Sequence, residues 1–235
     1  MSRLEFLSPG ENGDAPARSS MERQALAAGG KLERRDGWSI ATEFDGEEAE
    51  RGRIEGSVGF ADLSHLGKIE LQAAATDLEG ILGAHLELGS ATRTDGGWLL
   101  PYTPERAIAL CDPAERAGLL DRLLDAAGSA GGLTSVIDVT TTFGALVIAG
   151  PLARETFARF TAIDLRPDAL PPNGFRPGSV ARTPGAVLRE GDGDRFLMLF
   201  GSAVGQYMWT VVEDAAQRLG GGPVGTRVLE GVTVA

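Results

Sequence analysis

The sequence predicts an α+β domain in which one unit of strand, helix, strand pair and helix occurs twice. Three observations predict it. Residues 61–71 and 137–147 share an opening of apolar–Asp–apolar–hydroxyl, Ala61-Asp62-Leu63-Ser64 against Ile137-Asp138-Val139-Thr140, at an offset of 76. Residues 89–127 pair without a gap with 178–216 at an offset of 89, and twelve of the 39 aligned positions are identical. The change of offset implies 13 extra residues in the second copy, and 166–177, with four prolines, is the place for them. Neither unit hides a sheet face alone, so the two should pack together.

In chain order, residues 1–20 are polar and rich in Gly, Pro and Ser, and read as a flexible leader. The remainder, 21–235, reads as one domain with pseudo-repeats at about 57–128 and 133–219. A short helix is expected over 21–29, stopped by Gly29-Gly30. The chain becomes sheet-like near Gly37-Trp38, and 47–53 suits a turn or two of helix. Copy one has its strand at 61–71, a helix at 77–84, a strand pair ending in the apolar run 107–111, and a helix at 114–127. Copy two has a strand at 137–147 and a helix at 151–160, where Pro151 suits the first turn because its missing N–H is not needed there. Its last strand covers 196–200 and its last helix 204–219. Gly191-Asp192-Gly193-Asp194 puts two carboxylates where an anion would sit, so it reads as a hairpin turn and not a phosphate loop. The glycines at 220–225 follow a helix, as a C-cap does, and lead to an expected final strand at 226–234.

Composition removes several function classes. Twenty-two Lys and Arg stand against 33 Asp and Glu, a net charge of −11, which repels a phosphate backbone and argues against nucleic-acid binding. No apolar run approaches the roughly 20 residues of a membrane span, and the N-terminus lacks the apolar centre of a signal peptide, so a cytoplasmic protein is expected. The one cysteine, Cys111, excludes an internal disulfide and reads as a small core residue. With two histidines, His65 and His85, and no ligand spacing, no metal site is expected.

The candidate binding residues each have two readings. Asp62 and His65, at the start of a strand, either cap the turn or touch a ligand; the turn reading has support in Asp138, which repeats the pattern without the histidine. Arg189, Arg195 and Tyr207 are either solvated or approach a carboxylate-bearing ligand, to which Arg offers a planar fork. Trp98 is either core or the flat wall that a planar heterocycle would need.

The segment Gly59-Phe60-Ala61-Asp62-Leu63-Ser64-His65-Leu66-Gly67-Lys68-Ile69 resembles the signature that opens the folate-binding domain of the glycine-cleavage T-proteins, the aminomethyltransferases. Gly37-Trp38, Ala149-Gly150-Pro151-Leu152-Ala153 and Pro223-Val224-Gly225-Thr226-Arg227 extend the likeness more diffusely, over about residues 35–230. The resemblance implies that family's internally duplicated domain, with antiparallel and mixed sheets flanked by helices, and tetrahydrofolate as cofactor. It also exposes two departures. Where the family carries a Gly-Gly-x-x-Asp-Asp pattern, this chain reads Gly96-Gly97-Trp98-Leu99-Leu100-Pro101, so Leu100 and Pro101 replace the acids and no catalytic residue is assigned. Asp95 lies on the other side of the glycines and is expected to point elsewhere; with Asp62 and Asp112 it is what remains if a displaced carboxylate is to serve. Leu197 stands where the family places its folate-anchoring glutamate. In length and in these losses the chain resembles the gamma subunit of heterotetrameric sarcosine oxidases. That resemblance implies a non-catalytic or accessory subunit in one-carbon and N-methyl amino acid metabolism, held by partner subunits or as a homo-oligomer. The alternative is a tetrahydrofolate-dependent aminomethyltransferase or a folate-binding protein.

Overall fold

In the computed structural model, which describes residues 15–229, the chain opens with a small sheet. β1 (Ala17–Arg18) is followed by helix α1 (Glu22–Ala27), and β2 (Lys31–Arg35) and β3 (Trp38–Glu43) form a hairpin, with β1 parallel to β3. The expected flexible stretch thus falls outside the described residues up to position 14, and its end is paired into a sheet. α2 (Glu47–Gly56) follows, longer than its charged sequence suggested. It is anchored by buried Glu50, whose carboxylate accepts the N–H groups of Phe44 (2.5 Å), Asp45 (3.1 Å) and Gly225 (2.7 Å).

The first unit is β4 (Gly59–Asp62), β5 (Gly67–Gln72), α3 (Ala75–Leu82), β6 (Thr92–Thr94), β7 (Gly97–Thr103), β8 (Arg106–Cys111) and α4 (Arg116–Ser129). Asp112 caps the turn into α4 by accepting the Ala114 N–H, with Pro113 placed where no donor is required. The second unit is β9 (Ser135–Asp138), β10 (Phe143–Ala149), α5 (Ala153–Phe157), β11 (Phe175–Val180), β12 (Thr183–Arg189), β13 (Arg195–Gly201) and α6 (Gly205–Gln217). β14 (Gly222–Pro223) and a helical turn, α7 (Thr226–Leu229), end the described residues. The strand expected at 226–234 is therefore helical as far as 229, where Thr226, Val228 and Leu229 are buried, and lies outside the described residues beyond that.

Two sheets carry one strand order. One reads β6-β7-β8-β5-β9 and the other β11-β12-β13-β10-β4, with β14 added beyond β4. Each unit's leading strand has crossed over: β4 pairs antiparallel with β10 of the second unit, and β9 pairs antiparallel with β5 of the first. The crossings are chemically alike. Asp62 Oδ1 accepts the Ser64 N–H and Asp138 Oδ1 the Thr140 N–H, each at 2.9 Å, which bends the chain as it leaves the strand. The turned-in hydroxyls then bond the opposite unit. Ser64 Oγ accepts the Ala145 N–H (3.1 Å), and Thr140 Oγ1 accepts the Lys68 N–H (3.0 Å). Beside them Leu63 N–H donates to Ala145 and Val139 N–H to Lys68, each at 2.9 Å.

The layers follow from alternation along the strands. Between the sheets lie Trp98, Leu100, Ile108 and Leu110 from one and Val147, Leu188, Leu197 and Leu199 from the other. The opposite face of the first sheet buries Ile69, Leu71 and Ala109 under α3 and α4. The opposite face of the second buries Phe60, Ile148, Phe196 and Met198 under α1, α5 and α6, where Met208, Trp209, Val212 and Ala216 recur at helical spacing. β10 is apolar on both faces because it is central in a sheet covered on both sides.

The ungapped pairing of 89–127 with 178–216 holds for β8 against β13 but fails by one face in the strand before. It aligns Trp98, which points between the sheets, with Val187, which points toward α6. The cause is the connection between β12 and β13, residues 190–194, against two residues between β7 and β8.

The crossing hydroxyls carry the first prediction. Ser64→Ala and Thr140→Val each strand a main-chain N–H in the interior, so each should lower unfolding free energy by about 1–3 kcal/mol in urea titration. A loss below about 0.5 kcal/mol at both positions would show that the crossing does not depend on them.

Candidate functional site

Where the two units meet at the rim of the inter-sheet layer, a pocket of about 770 Å³ opens. Leu63 and Leu66, in the turn between β4 and β5, form one wall, and Trp98 and Leu110 form the next. Glu190 and Arg195 reach in from the β12–β13 hairpin of the second unit. Arg93, Asp95, Asp112, Glu115 and Arg122 complete the charged rim. A smaller compartment of about 290 Å³ continues beneath α4 over Leu99, Ala109 and Leu123, with Trp98 and Cys111 shared between the two.

Of the residues expected to bind, the structure brings two into this pocket. Trp98 is buried, with the Arg93 guanidinium 4.7 Å from its ring centroid. Arg195 bonds the Glu190 carboxylate through Nε at 2.5 Å, so acid and base lie side by side at the mouth. Asp62 and His65 belong to the wall's own turn and do not line the cavity. Asp62 is spent on the Ser64 bend, and burial pushes its carboxyl up from the usual range against the pull of Ser19 and Ser64. Burial, helped by the Lys68 charge, pulls His65 down to about 4, so its ring is neutral at pH 7.

Arg189 and Tyr207 are not at the pocket. Arg189 is buried and its guanidinium donates to the carbonyls of Leu170 (3.1 Å), Gly193 (3.3 Å) and Asp192 (2.5 Å), closing the β12–β13 connection. Three main-chain acceptors leave it no fork for a ligand. Tyr207 is half-exposed on α6, and its hydroxyl donates to Ala181 at 3.2 Å. Asp95, in contrast to its expected direction, lines both compartments, because the β6–β7 turn folds over the mouth. Gly97 permits that fold: a Cβ there would lie 1.8 Å from the Leu110 carbonyl oxygen.

Glu190, Arg93 and Arg122 were not singled out by the sequence. Glu190 adjoins a turn whose charges look solvated until the second unit is docked on the first. Lys68 was also missed, although it stands in the quoted motif; it is fully buried. Leu100 and Leu197, where the resemblance implied carboxylates, are both fully buried in the inter-sheet layer. Cys111 is buried as expected, and burial lifts its thiol to about 11, so it is held as the thiol at pH 7. Among the described residues there is no His, Cys, Asp and Glu group that could hold a metal ion, and no helix is long and apolar enough to cross a membrane.

No family model matches the chain. The aminomethyltransferase of Frankia alni is 31% identical to it over 153 residues, 58% of this chain and 41% of that protein. The aminomethyltransferase of Streptomyces coelicolor is 28% identical over 228 residues, covering 88% and 59%. The chain thus spans between about two-fifths and three-fifths of the length of the curated relatives it matches. Among solved structures, the glycine cleavage system aminomethyltransferase T of Bartonella henselae superposes with a TM-score of 0.72 at 16% identity, covering 90% of this chain and 60% of that one. A chain of the heterotetrameric sarcosine oxidase of Corynebacterium sp. U-96 superposes with a TM-score of 0.68 at 21% identity, covering 88% and 98%. The chain is homologous to the aminomethyltransferases and shares its fold with that sarcosine oxidase chain.

The half-buried imidazole of His65 gives a prediction with a definite sign. His65 binds a proton at about 4 when folded and near 6.5 when unfolded, so the unfolded chain holds more protons between those values. Stability should rise from pH 4 to pH 6.5, with up to about 3 kcal/mol from this group. His65→Gln should flatten that slope in urea titrations at stepped pH, and an unchanged slope would remove the imidazole from the wall's interior.

Proposed function

We propose that this chain binds a reduced folate in the pocket between its two units, as a relative of the aminomethyltransferases in one-carbon metabolism. The observation that carries the reading is the pocket itself, which sets an aromatic wall, Trp98, beside carboxylates and guanidiniums from both units. In kind, that set fits the group: a flat face for a pterin, Glu190 and Asp112 as acceptors for its amino and N–H groups, and Arg195 or Arg122 for a carboxylate tail. A bound tetrahydrofolate would supply the nitrogen that accepts a one-carbon unit. The protein's part is to hold the ligand, bury its ring and orient it.

The fit comes with a displacement. Leu100 and Leu197 can accept no hydrogen bond, so a pterin buried against them would lose roughly 1–3 kcal/mol for each unpaired donor. The remaining acceptors stand at the mouth.

A second reading, an accessory subunit within a hetero-oligomer, draws support from the fold shared with a chain of a heterotetrameric sarcosine oxidase. It also finds support in exposed Leu133 and Ile137, at and beside the free edge of β9, which are apolar residues a partner would cover.

Calorimetric titration with tetrahydrofolate separates the two. The folate reading expects saturable heat, and Trp98→Ala should weaken binding on the order of ten-fold by removing the wall. Arg195→Ala should also weaken it, by leaving Glu190 unpaired to repel the ligand's tail. No heat at millimolar ligand would sink folate binding and leave the accessory reading, for which a stable complex on co-expression with neighbouring gene products is the expected result.

A further inference from the structure

Lys68 raises a question the folate reading leaves open. It projects from β5 into the layer between the sheets and is fully buried. A buried ammonium is costly unless its protons are met. Here Nζ donates to the carbonyls of Ser64 (2.9 Å) and Leu66 (2.8 Å).

The second unit shows that the crossover does not require this side chain. Lys68 uses its main-chain N–H and carbonyl for Thr140 Oγ1 and Val139, and Ala145 does the same for Ser64 Oγ and Leu63. An alanine therefore suffices at the equivalent place. The two turns differ in what lies beside them. Each turn closes on its own main chain, Leu66 N–H to Leu63 (3.1 Å) and Thr142 N–H to Val139 (2.9 Å), but Leu63 and Leu66 also form a wall of the pocket.

We propose that Lys68 is a positioning residue for the ligand pocket: by holding the Ser64 and Leu66 carbonyls, its ammonium fixes the Leu63–Leu66 wall against which the ligand packs. This rests on the pocket being the ligand site. The charge matters because bonds from an ammonium are stronger than those from a neutral amine. The titratable groups that face it are Asp62 on β4, Asp138 on β9, Cys111 on β8 and His65 in the turn itself; Arg116 on α4 pairs with Asp138. Burial lowers Lys68 to about 8 against the opposing pull of Asp62 and Asp138. His65 titrates well below that and Cys111 well above it. Binding should therefore weaken as pH rises through about 8.

The test uses the full chain and tetrahydrofolate as probe. Lys68→Met should fold and bind on the order of ten-fold more weakly, whereas unchanged affinity would overturn the proposal. In the wild type, affinity should fall several-fold between pH 7 and pH 9. Asp62→Asn should move the midpoint to lower pH, because it removes an anion that favours the ammonium. A profile flat over that range overturns the proposal even if Lys68→Met does not fold. Should the wild type bind no tetrahydrofolate, the folate reading fails separately. Lys68 is then decided by exchange of the Leu66 amide in the ligand-free wild type, whose protection should drop through pH 8 beyond the ordinary base-catalysed rise; constant protection would overturn the wall's dependence on it.

Discussion

The whole domain depends on a reciprocal strand exchange. Each unit leaves its leading strand in the other's sheet, and each crossing is pinned by the same device, an aspartate that bends the chain and a hydroxyl that bonds the opposite unit. Without the exchange each leading strand would stay in its own sheet, and the two halves would lose the strand pairing of β4 with β10 and of β9 with β5. With it, β4 and β9 lie across the seam, so separating the units would mean breaking main-chain hydrogen bonds in both sheets as well as opening the apolar layer. That is why two short Asp-x-Ser/Thr segments matter more to the architecture than any single core residue.

The same exchange creates the pocket. A turn that carries a strand from one sheet to the other passes through the rim of the layer between them. The hairpins of both units converge there, bringing Trp98 from one and Glu190 with Arg195 from the other. Duplicated units would place equivalent groups on both sides of a pseudo-twofold axis, yet the halves have diverged at this point. Lys68 faces inward where its counterpart is Ala145, and the connection of residues 190–194 is longer than its counterpart at 104–105. The asymmetry is concentrated where a ligand would lie, while the crossings themselves have stayed alike.

The fold was largely legible because it is written in local pattern. The repeated Asp62 and Asp138 segments, the apolar runs of β8 and β13 and the periodic faces of α4 and α6 are short-range signals, and each marks an element. The strand exchange was not legible, because the same sequence would serve a strand kept in its own sheet; only long-range pairing decides. The single-face slip between Trp98 and Val187 escaped for a related reason, since identity counts ignore which way a side chain points. Of the residues singled out by type, Trp98 and Arg195 line the pocket. Arg189 was misjudged because nothing in a sequence shows that three carbonyls will surround a guanidinium. Glu190 and Lys68 were missed because their meaning arises only after the units dock.

The resemblance to the aminomethyltransferases implies carboxylates at two places where this chain has leucines. Leu100 and Leu197 come from different units, yet both are fully buried in one apolar cluster between the sheets. A carboxylate at either place would now be desolvated without a partner, at a cost of several kcal/mol, unless a ligand's donors or cations met it. Leucines there release the domain from that dependence: its inter-sheet layer is closed whether or not anything is bound. The polar groups that remain, Asp95, Asp112, Glu115, Arg122, Glu190 and Arg195, stand at the mouth, where Glu190 pairs with Arg195 and Asp112 accepts the Ala114 N–H. The physical consequence is a domain whose interior is closed by apolar packing alone. Such a domain can keep a shallow binding site or dock among partner chains without paying for an empty charged interior.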